Sequence, residues 1–216
     1  MMAGNDKVCV GIEPGQNAIR LEVNDASASL QELLDAWQPL CDDAGISKTY
    51  AAGHFAPCRA CEQNCCLSAD ISPDLISLRR LAQGLDMSIA GFVAEYCRPD
   101  LLEHGLMKVR SQPCVFLHSN ICAVYPRRTL LCRFYICAEM AGPTQELIYR
   151  ISLLGAAAAH RYAREQGIIP APVPHGLGGF DRAFLQLMEE HMAHAALDYF
   201  LQAENYSQIP LAIVLE

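Results

Sequence analysis

Four cysteines within nine residues constrain this chain more than any other feature. The stretch runs Cys58-Arg-Ala-Cys61-Glu-Gln-Asn-Cys65-Cys66. A C-x2-C step lets two thiolates reach one metal ion. The adjacent pair that follows has side chains pointing in different directions, so it can close that site or begin another. The stretch therefore predicts a metal site.

Four more candidate ligands follow in one later block of the chain, at Cys114, Cys122, Cys132 and Cys137. With the first four they make a set of eight clustered cysteines. Cys9, Cys41 and Cys97 lie apart from both groups and bring the total to 11. Because this number is odd, a fully paired disulfide framework is disfavoured. We expect these three side chains to behave as small hydrophobic residues.

The eight thiols are compatible with three kinds of site. Zinc would be held in tetrahedral, Cys-rich sites without redox chemistry, and its binding would contribute to the folding free energy. An iron–sulfur cluster, for which we expect the 4Fe–4S form, is also ligated by cysteine thiolates. Disulfides are disfavoured because no secretory segment points to an oxidising compartment. The spacing leaves zinc and iron open.

Three arginines surround one of the later cysteines. Arg127 and Arg128 precede Cys132, and Arg133 follows it. Four thiolates around a zinc ion or a cluster leave the site with a net negative charge, and burying uncompensated charge costs several kcal/mol. We therefore predict that these arginines compensate the charge of the site. Pairing with surface carboxylates is the alternative.

The composition excludes several partners. The net charge is −8, so the chain lacks the basic surface that binds nucleic acid or an anionic membrane. No run approaches the roughly 18 apolar residues that span a bilayer, and the first residues do not resemble a signal peptide. We therefore predict a cytoplasmic protein.

Apolar periodicity predicts that most of the chain is helical. The predicted helices span about residues 24–43, 73–83, 88–97, 143–167 and 180–203. Trp37 is placed in the core, and Ser72 and Ser88 are expected to begin the second and third helices. The last helix is predicted to bury Phe180, Phe184, Leu187, Met188 and Ala195.

Residues 114–117 and 121–125 indicate two short strands joined by His118-Ser119-Asn120, which is a hairpin signal. Cys114 and Cys122 would then lie on its two arms. The predicted fold class is mostly α, with a helical domain around a small, irregular, Cys-rich metal-binding core that contains this hairpin. We divide this single compact domain into an N-terminal arm and helix, the Cys-rich core and a C-terminal helical hairpin, at residues 1–54, 55–140 and 141–216.

Several short motifs follow the first cysteine cluster in a characteristic order. They are Ser72-Pro73, Met87-Ser-Ile-Ala-Gly-Phe-Val-Ala-Glu-Tyr96, Pro113-Cys-Val-Phe-Leu117, Cys122-Ala-Val-Tyr125 and Arg128-x3-Cys132-Arg133. Over about residues 55–137 the chain resembles the CxxCxxCC cysteine-cluster family, also called YkgJ-type, which is named for chelating zinc or iron. Two features depart from the family pattern. Three residues instead of two precede Cys65-Cys66, and Thr129 stands where proline is usual.

The resemblance implies a metal-binding protein, with a redox role as one option, and leaves the metal open. A distant relative, the flagellin lysine N-methylase, implies an alternative in which S-adenosylmethionine donates a methyl group to a protein lysine. The C-x3-C-x2-C loop usual in radical S-adenosylmethionine enzymes is absent. A structural zinc module that binds a protein partner through the apolar helices 143–203 is the third hypothesis. Whether the chain is an enzyme stays open.

Overall fold

The computed structural model describes residues 3–4, 6–12, 18–42, 65–136 and 138–215. Within these ranges the chain forms nine α-helices, one three-stranded antiparallel sheet and one two-stranded hairpin. The predicted fold class, mostly α with a short β-hairpin, is confirmed.

The N-terminal residues form a small sheet. Its strands are β1 (Ala3–Gly4), β2 (Val8–Ile12) and β3 (Ile19–Val23), paired antiparallel in that order. The side chains of Val8, Val10 and Ile19 are fully buried, which is the burial expected when one face of a sheet packs on a core. The alternation of Val8 and Val10 on β2 is therefore a strand signal in a region where the sequence showed no strong period.

The first helix, α1 (Leu30–Asp42), packs against this sheet. It begins six residues later than predicted because Ser29 and Glu32 form reciprocal hydrogen bonds at its start. The Ser29 hydroxyl accepts from the Glu32 backbone N–H, and the Glu32 carboxylate accepts from the Ser29 N–H. Trp37 is 1% exposed, so its predicted core position is confirmed.

Helices α2 (Leu75–Gly84), α3 (Ile89–Tyr96) and α4 (Pro99–Leu102) follow. The predicted cap of α3 is confirmed, since the Ser88 hydroxyl accepts from the backbone N–H of Gly91. The predicted cap of α2 is wrong. Its cap is Asp74, whose carboxylate accepts from the Ser77 N–H, while the Ser72 hydroxyl donates to the carbonyl of Met107. Asp74 is the cap because it directly precedes the helix in an extended conformation, whereas the Ser72 hydroxyl is already bonded to Met107.

A hairpin of β4 (Leu117–His118) and β5 (Ile121–Cys122) leads into α5 (Leu130–Phe134) and the long helix α6 (Gly142–Glu165). Helix α6 contacts α2 and α5. A β-carbon on Gly155 of α6 would come within 2.6 Å of the Asp74 β-carbon, so glycine is what permits this close approach. No helix in the described ranges is long and apolar enough to cross a membrane.

The predicted last helix is divided in two, which corrects the expected continuous helix 180–203. Helix α7 (Gly179–His191) ends in a turn, and α8 (Ala196–Gln202) and α9 (Ala212–Leu215) follow it. The His194 ring accepts a hydrogen bond from the backbone N–H of Ala196. This bond gives the start of α8 a side-chain partner and favours a new helix over continuation of the first.

The burial of side chains in this region also differs in part from the prediction. Met188 is fully buried, as predicted, and Phe184 packs partly against the same cluster. Phe180 is 69% exposed and Leu187 43% exposed, and Ala195 in the turn is also exposed. Their predicted burial is wrong, because α7 buries Leu185 and Met188 instead, and Ala195 lies in the turn between the two helices.

His160 is a fully buried histidine on α6 that can report on pH. Its Nε2 accepts a hydrogen bond from the Met107 N–H, and its Nδ1 lies 2.8 Å from the carbonyl of Ala156. Burial lowers the pKa of His160 from 6.5 to about 4, and repulsion from Arg164 and Lys108 acts in the same direction. The His160 ring is therefore neutral in the folded protein at neutral pH.

We expect His160 to make folding stability depend on pH. Because the unfolded chain binds a proton at His160 below about pH 6.5 and the folded chain does not until about pH 4, stability is lost as the pH falls through this window. The free energy of unfolding should drop by about 2 kcal/mol between pH 7 and pH 5. His160→Gln should show a smaller drop in urea titrations over this range, and equal slopes in both proteins would contradict the assignment.

Candidate metal centre

Cys122 is positioned by a tight two-residue hairpin turn. Ser119 and Asn120 adopt positive φ angles of 49° and 60°, which is typical of the turn that joins two twisted strands. Leu117 pairs with Cys122 across the hairpin. The two strands are shorter than predicted, so Cys114 precedes β4 instead of lying on it, and its carbonyl accepts from the Leu117 N–H at 2.9 Å.

The end of the first cysteine cluster meets this hairpin. Residues Cys65–Leu67 form a single 3-10 turn. The carbonyl of Cys66 accepts a hydrogen bond of 2.7 Å from the backbone N–H of Cys114. Two cysteines that are 48 positions apart in the numbering are thereby joined through their main chains.

Cys132 comes from α5, the third element of the site. Thr129 is the N-cap of this helix, and its hydroxyl accepts from the Cys132 backbone N–H at 3.5 Å. Leu130 is the first residue of this helix, and its backbone N–H donates to the buried carboxylate of Asp74 at 2.9 Å. The threonine that replaces the usual proline therefore has a capping function, and it orients the turn that carries Cys132.

The thiols of Cys66, Cys114, Cys122 and Cys132 interact electrostatically. A hydrogen bond with the Cys65 thiol, aided by the positive charge of Arg128, lowers the pKa of Cys66 to about 6. Burial raises the pKa of both Cys114 and Cys122, and repulsion from Cys66 raises each further. Burial raises the pKa of Cys132 to about 12, and Cys66, Cys114 and Cys122 all add repulsion. Each thiol is thus close enough to respond to the charge of others.

Five of the eight predicted ligands lie in the described part of the chain, and all are half-buried: Cys65, Cys66, Cys114, Cys122 and Cys132. Cys58, Cys61 and Cys137 lie outside the described residues. Among the residues that are described, no three His, Cys, Asp or Glu side chains already form a metal-binding arrangement. A donor set made of thiols suits zinc or an iron–sulfur cluster, and does not suit magnesium or calcium, which prefer oxygen. The eight-ligand assignment stays a prediction.

The three predicted arginines occupy different surroundings. Arg128 is 8% exposed and interacts electrostatically with Cys66 and Cys122. Arg133 is half-buried, with its guanidinium 5.7 Å from the ring centroid of Tyr206. Arg127 is exposed, and its guanidinium lies against Gly84 of α2. Within the described ranges, Arg128 is the one of the three that interacts with the thiols of Cys66 and Cys122.

A comparison with protein-family models connects this geometry to known proteins. Residues 57–149 match the CxxCxxCC model, whose description is "Putative zinc- or iron-chelating domain". Residues 57–149 are thus similar to this domain. No curated protein and no solved structure matches the chain. The matched range encloses every predicted cysteine ligand.

The residues that hold Arg128 near the thiols of Cys66 and Cys122 were not predicted. The Arg128 guanidinium carbon lies 3.6 Å from the ring centroid of Tyr125. The Tyr125 hydroxyl donates to Asp42, and an Arg128 amine donates to the Gln38 side chain at 3.3 Å. Gln38 and Asp42 belong to α1, outside the matched range. No local pattern joins them to Arg128, although the aromatic Tyr125 three residues earlier was a usable signal.

The cysteines outside the predicted ligand set have structural positions. Cys97 is fully buried, and burial raises its pKa to about 12. Cys41 is fully buried at the end of α1, where its thiol donates to the carbonyl of Arg133. Cys9 lies on β2 and accepts a hydrogen bond from Asn24. Cys41 and Cys97 are buried, as expected of small hydrophobic residues, whereas Cys9 is half-buried.

Proposed function

We propose that this protein binds zinc or iron in a centre formed by the thiolates of Cys66, Cys114, Cys122 and Cys132. The observation that carries the proposal is the 2.7 Å main-chain hydrogen bond that joins Cys66 to Cys114, together with the electrostatic effect of Cys66 on Cys114, Cys122 and Cys132. Thiols that repel one another when ionised are stabilised together by a cation that they share. The match to a chelating domain supports the same conclusion.

The other four clustered cysteines are proposed to complete the centre or to form a second one. Cys65 is adjacent to Cys66 in the chain and hydrogen-bonds to its thiol. Cys58 and Cys61 precede this pair, and Cys137 follows α5. One four-ligand site with additional thiols and two four-ligand sites are both consistent with this set. The number of metal ions per chain distinguishes them.

Zinc and iron–sulfur clusters share the thiolate chemistry of the site but differ in what they would do. Zinc would crosslink the segments without redox activity. A 4Fe–4S cluster would add electron transfer, with its reduction potential set by nearby charge and hydrogen bonds. S-adenosylmethionine-dependent lysine methylation, a protein-interaction role and a cytoplasmic location stay predictions from the sequence.

The test is elemental analysis with an ultraviolet–visible spectrum of protein purified without oxygen. Brown protein with roughly four irons and labile sulfide per chain would identify a cluster. Colourless protein with about one or two zinc ions would identify zinc. Replacing Cys66 and Cys122 by serine should abolish metal binding, whereas Cys9→Ser should retain it. A wild-type protein without either metal after reconstitution would overturn the proposal.

A further inference from the structure

Arg128 is a buried cation with an unusual set of neighbours. Its side chain lies flat against Tyr125 and donates to the neutral amide oxygen of Gln38. Among the described residues, no carboxylate forms an ion pair with it. Asp42, the acidic residue of this cluster, accepts instead from Tyr125 and from the amide of Gln38. Burying a positive charge without an anionic partner is costly.

One donor of Arg128 is left without an acceptor. Its Nε atom is buried and makes no hydrogen bond within the described part of the chain. Leaving a buried charged donor unpaired carries the full cost of removing it from water. Such a group in a folded protein calls for a specific explanation, and an ion or bound group that the donor faces is one of the main candidates.

Besides Asp42, the groups that interact with Arg128 include thiols of the site. Arg128 lies in the chain between β5, which carries Cys122, and α5, which carries Cys132, and its charge interacts with the Cys66 and Cys122 thiols. When a metal is bound, these thiols are thiolates. A sulfur that carries negative charge is an acceptor for the unused Nε–H, and this bond would satisfy the donor and offset the charge of the centre at once.

We propose that Arg128 donates a hydrogen bond from its Nε–H to a metal-bound thiolate, that of Cys66 or Cys122, and so positions and stabilises the centre. The inference rests on the proposed function. Tyr125 and Gln38 would keep the guanidinium in the required orientation, since its planar shape lets it stack on a ring while its edge donates hydrogen bonds. Lysine could supply the charge there but not this combination of contacts.

The experiment compares metal retention in Arg128→Met, Arg128→Lys and two controls. For zinc-loaded protein, competition with a chromophoric chelator should show affinity about 10- to 100-fold weaker in Arg128→Met. Arg128→Lys should lie between this variant and the wild type. Arg161→Met removes an arginine that pairs with Glu165 and Asp198, and should leave the affinity unchanged. Arg127→Met tests the adjacent exposed charge and should have a much smaller effect than Arg128→Met.

For protein that contains an iron–sulfur cluster, the readout is the midpoint reduction potential. Losing a hydrogen bond and a positive charge beside the sulfurs should make the potential of Arg128→Met more negative, with Arg161→Met unchanged. Neither readout would be expected to change if Arg128 served packing alone. If Arg128→Met does not fold, Arg128→Lys tests the proposed hydrogen bond instead. This variant keeps the buried charge but loses the geometry of the Nε–H donor.

The outcomes separate this inference from the function on which it rests. Wild-type protein that binds no metal would overturn both. Wild-type protein that binds metal, together with Arg128 variants that match Arg161→Met in affinity and potential, would overturn the role of Arg128 alone. A selective change in the Arg128 variants would support the hydrogen bond to the centre.

Discussion

Removing the bound metal is expected to unfold at least residues 55–140 and to lower the melting temperature by more than about 20 °C. The expected size follows from metal-binding energies. Binding of structural zinc contributes about 10–16 kcal/mol, which rivals the whole net stability of an ordinary domain, about 5–15 kcal/mol. In a chain of this size, each kcal/mol corresponds to about 2–4 °C in melting temperature.

The local structure around the thiols explains why metal should matter so much here. Strands β4 and β5 contain two residues each, and Cys65–Leu67 is a single turn. An isolated two-stranded hairpin is marginally stable in water. A metal bound by Cys66, Cys114, Cys122 and Cys132 would crosslink four short segments that have few main-chain hydrogen bonds to one another.

Near-ultraviolet circular dichroism and thermal melting, before and after chelation, check this expectation. Adding back the metal should restore both signals. The double replacement of Cys66 and Cys122 by serine is the matched control, since it should melt at the low temperature without chelator and show no further change with it. A metal-free wild-type protein with unchanged dichroism and melting would contradict the prediction.

Replacing Asp74 by alanine is expected to lower the free energy of unfolding by about 3–4 kcal/mol, because its buried donors would lose their acceptor. Asp74 is 2% exposed. Its carboxylate accepts from the Ser77 N–H at 2.9 Å and the Ser77 hydroxyl at 2.6 Å. It also accepts from the Leu130 N–H at 2.9 Å and the Tyr206 hydroxyl at 3.0 Å. One carboxylate therefore connects α2, α5 and the C-terminal segment.

Urea unfolding of metal-loaded protein measures this effect. Asp35→Ala is the matched control, since Asp35 is an exposed carboxylate on α1 and its loss should cost less than about 0.5 kcal/mol. Asp74→Ala should also weaken metal binding, because Leu130 begins the helix that carries Cys132. Equal stabilities of Asp74→Ala and Asp35→Ala would show that the carboxylate is not a structural connection.

Much of the fold could be predicted from local patterns. The helices α2, α3 and α6 lie close to their predicted ranges, and α1 ends where predicted, because apolar residues recur in each at helical spacing. The hairpin lies where the turn residues Ser119 and Asn120 indicated it. The last helix was predicted as continuous because the apolar spacing continues through residues 192–195, where the chain turns instead.

The sequence by itself determined the helical class and the set of candidate thiols, because helical periodicity and cysteine spacing are properties of neighbouring residues. Tertiary structure decided which charged groups lie next to the site and which distant side chains they contact. Asp74 meets Tyr206 across 132 positions, and Tyr125 meets Asp42 across 83. Arg128 differs from Arg127 through burial between α1 and the thiols, and such burial depends on how distant segments pack.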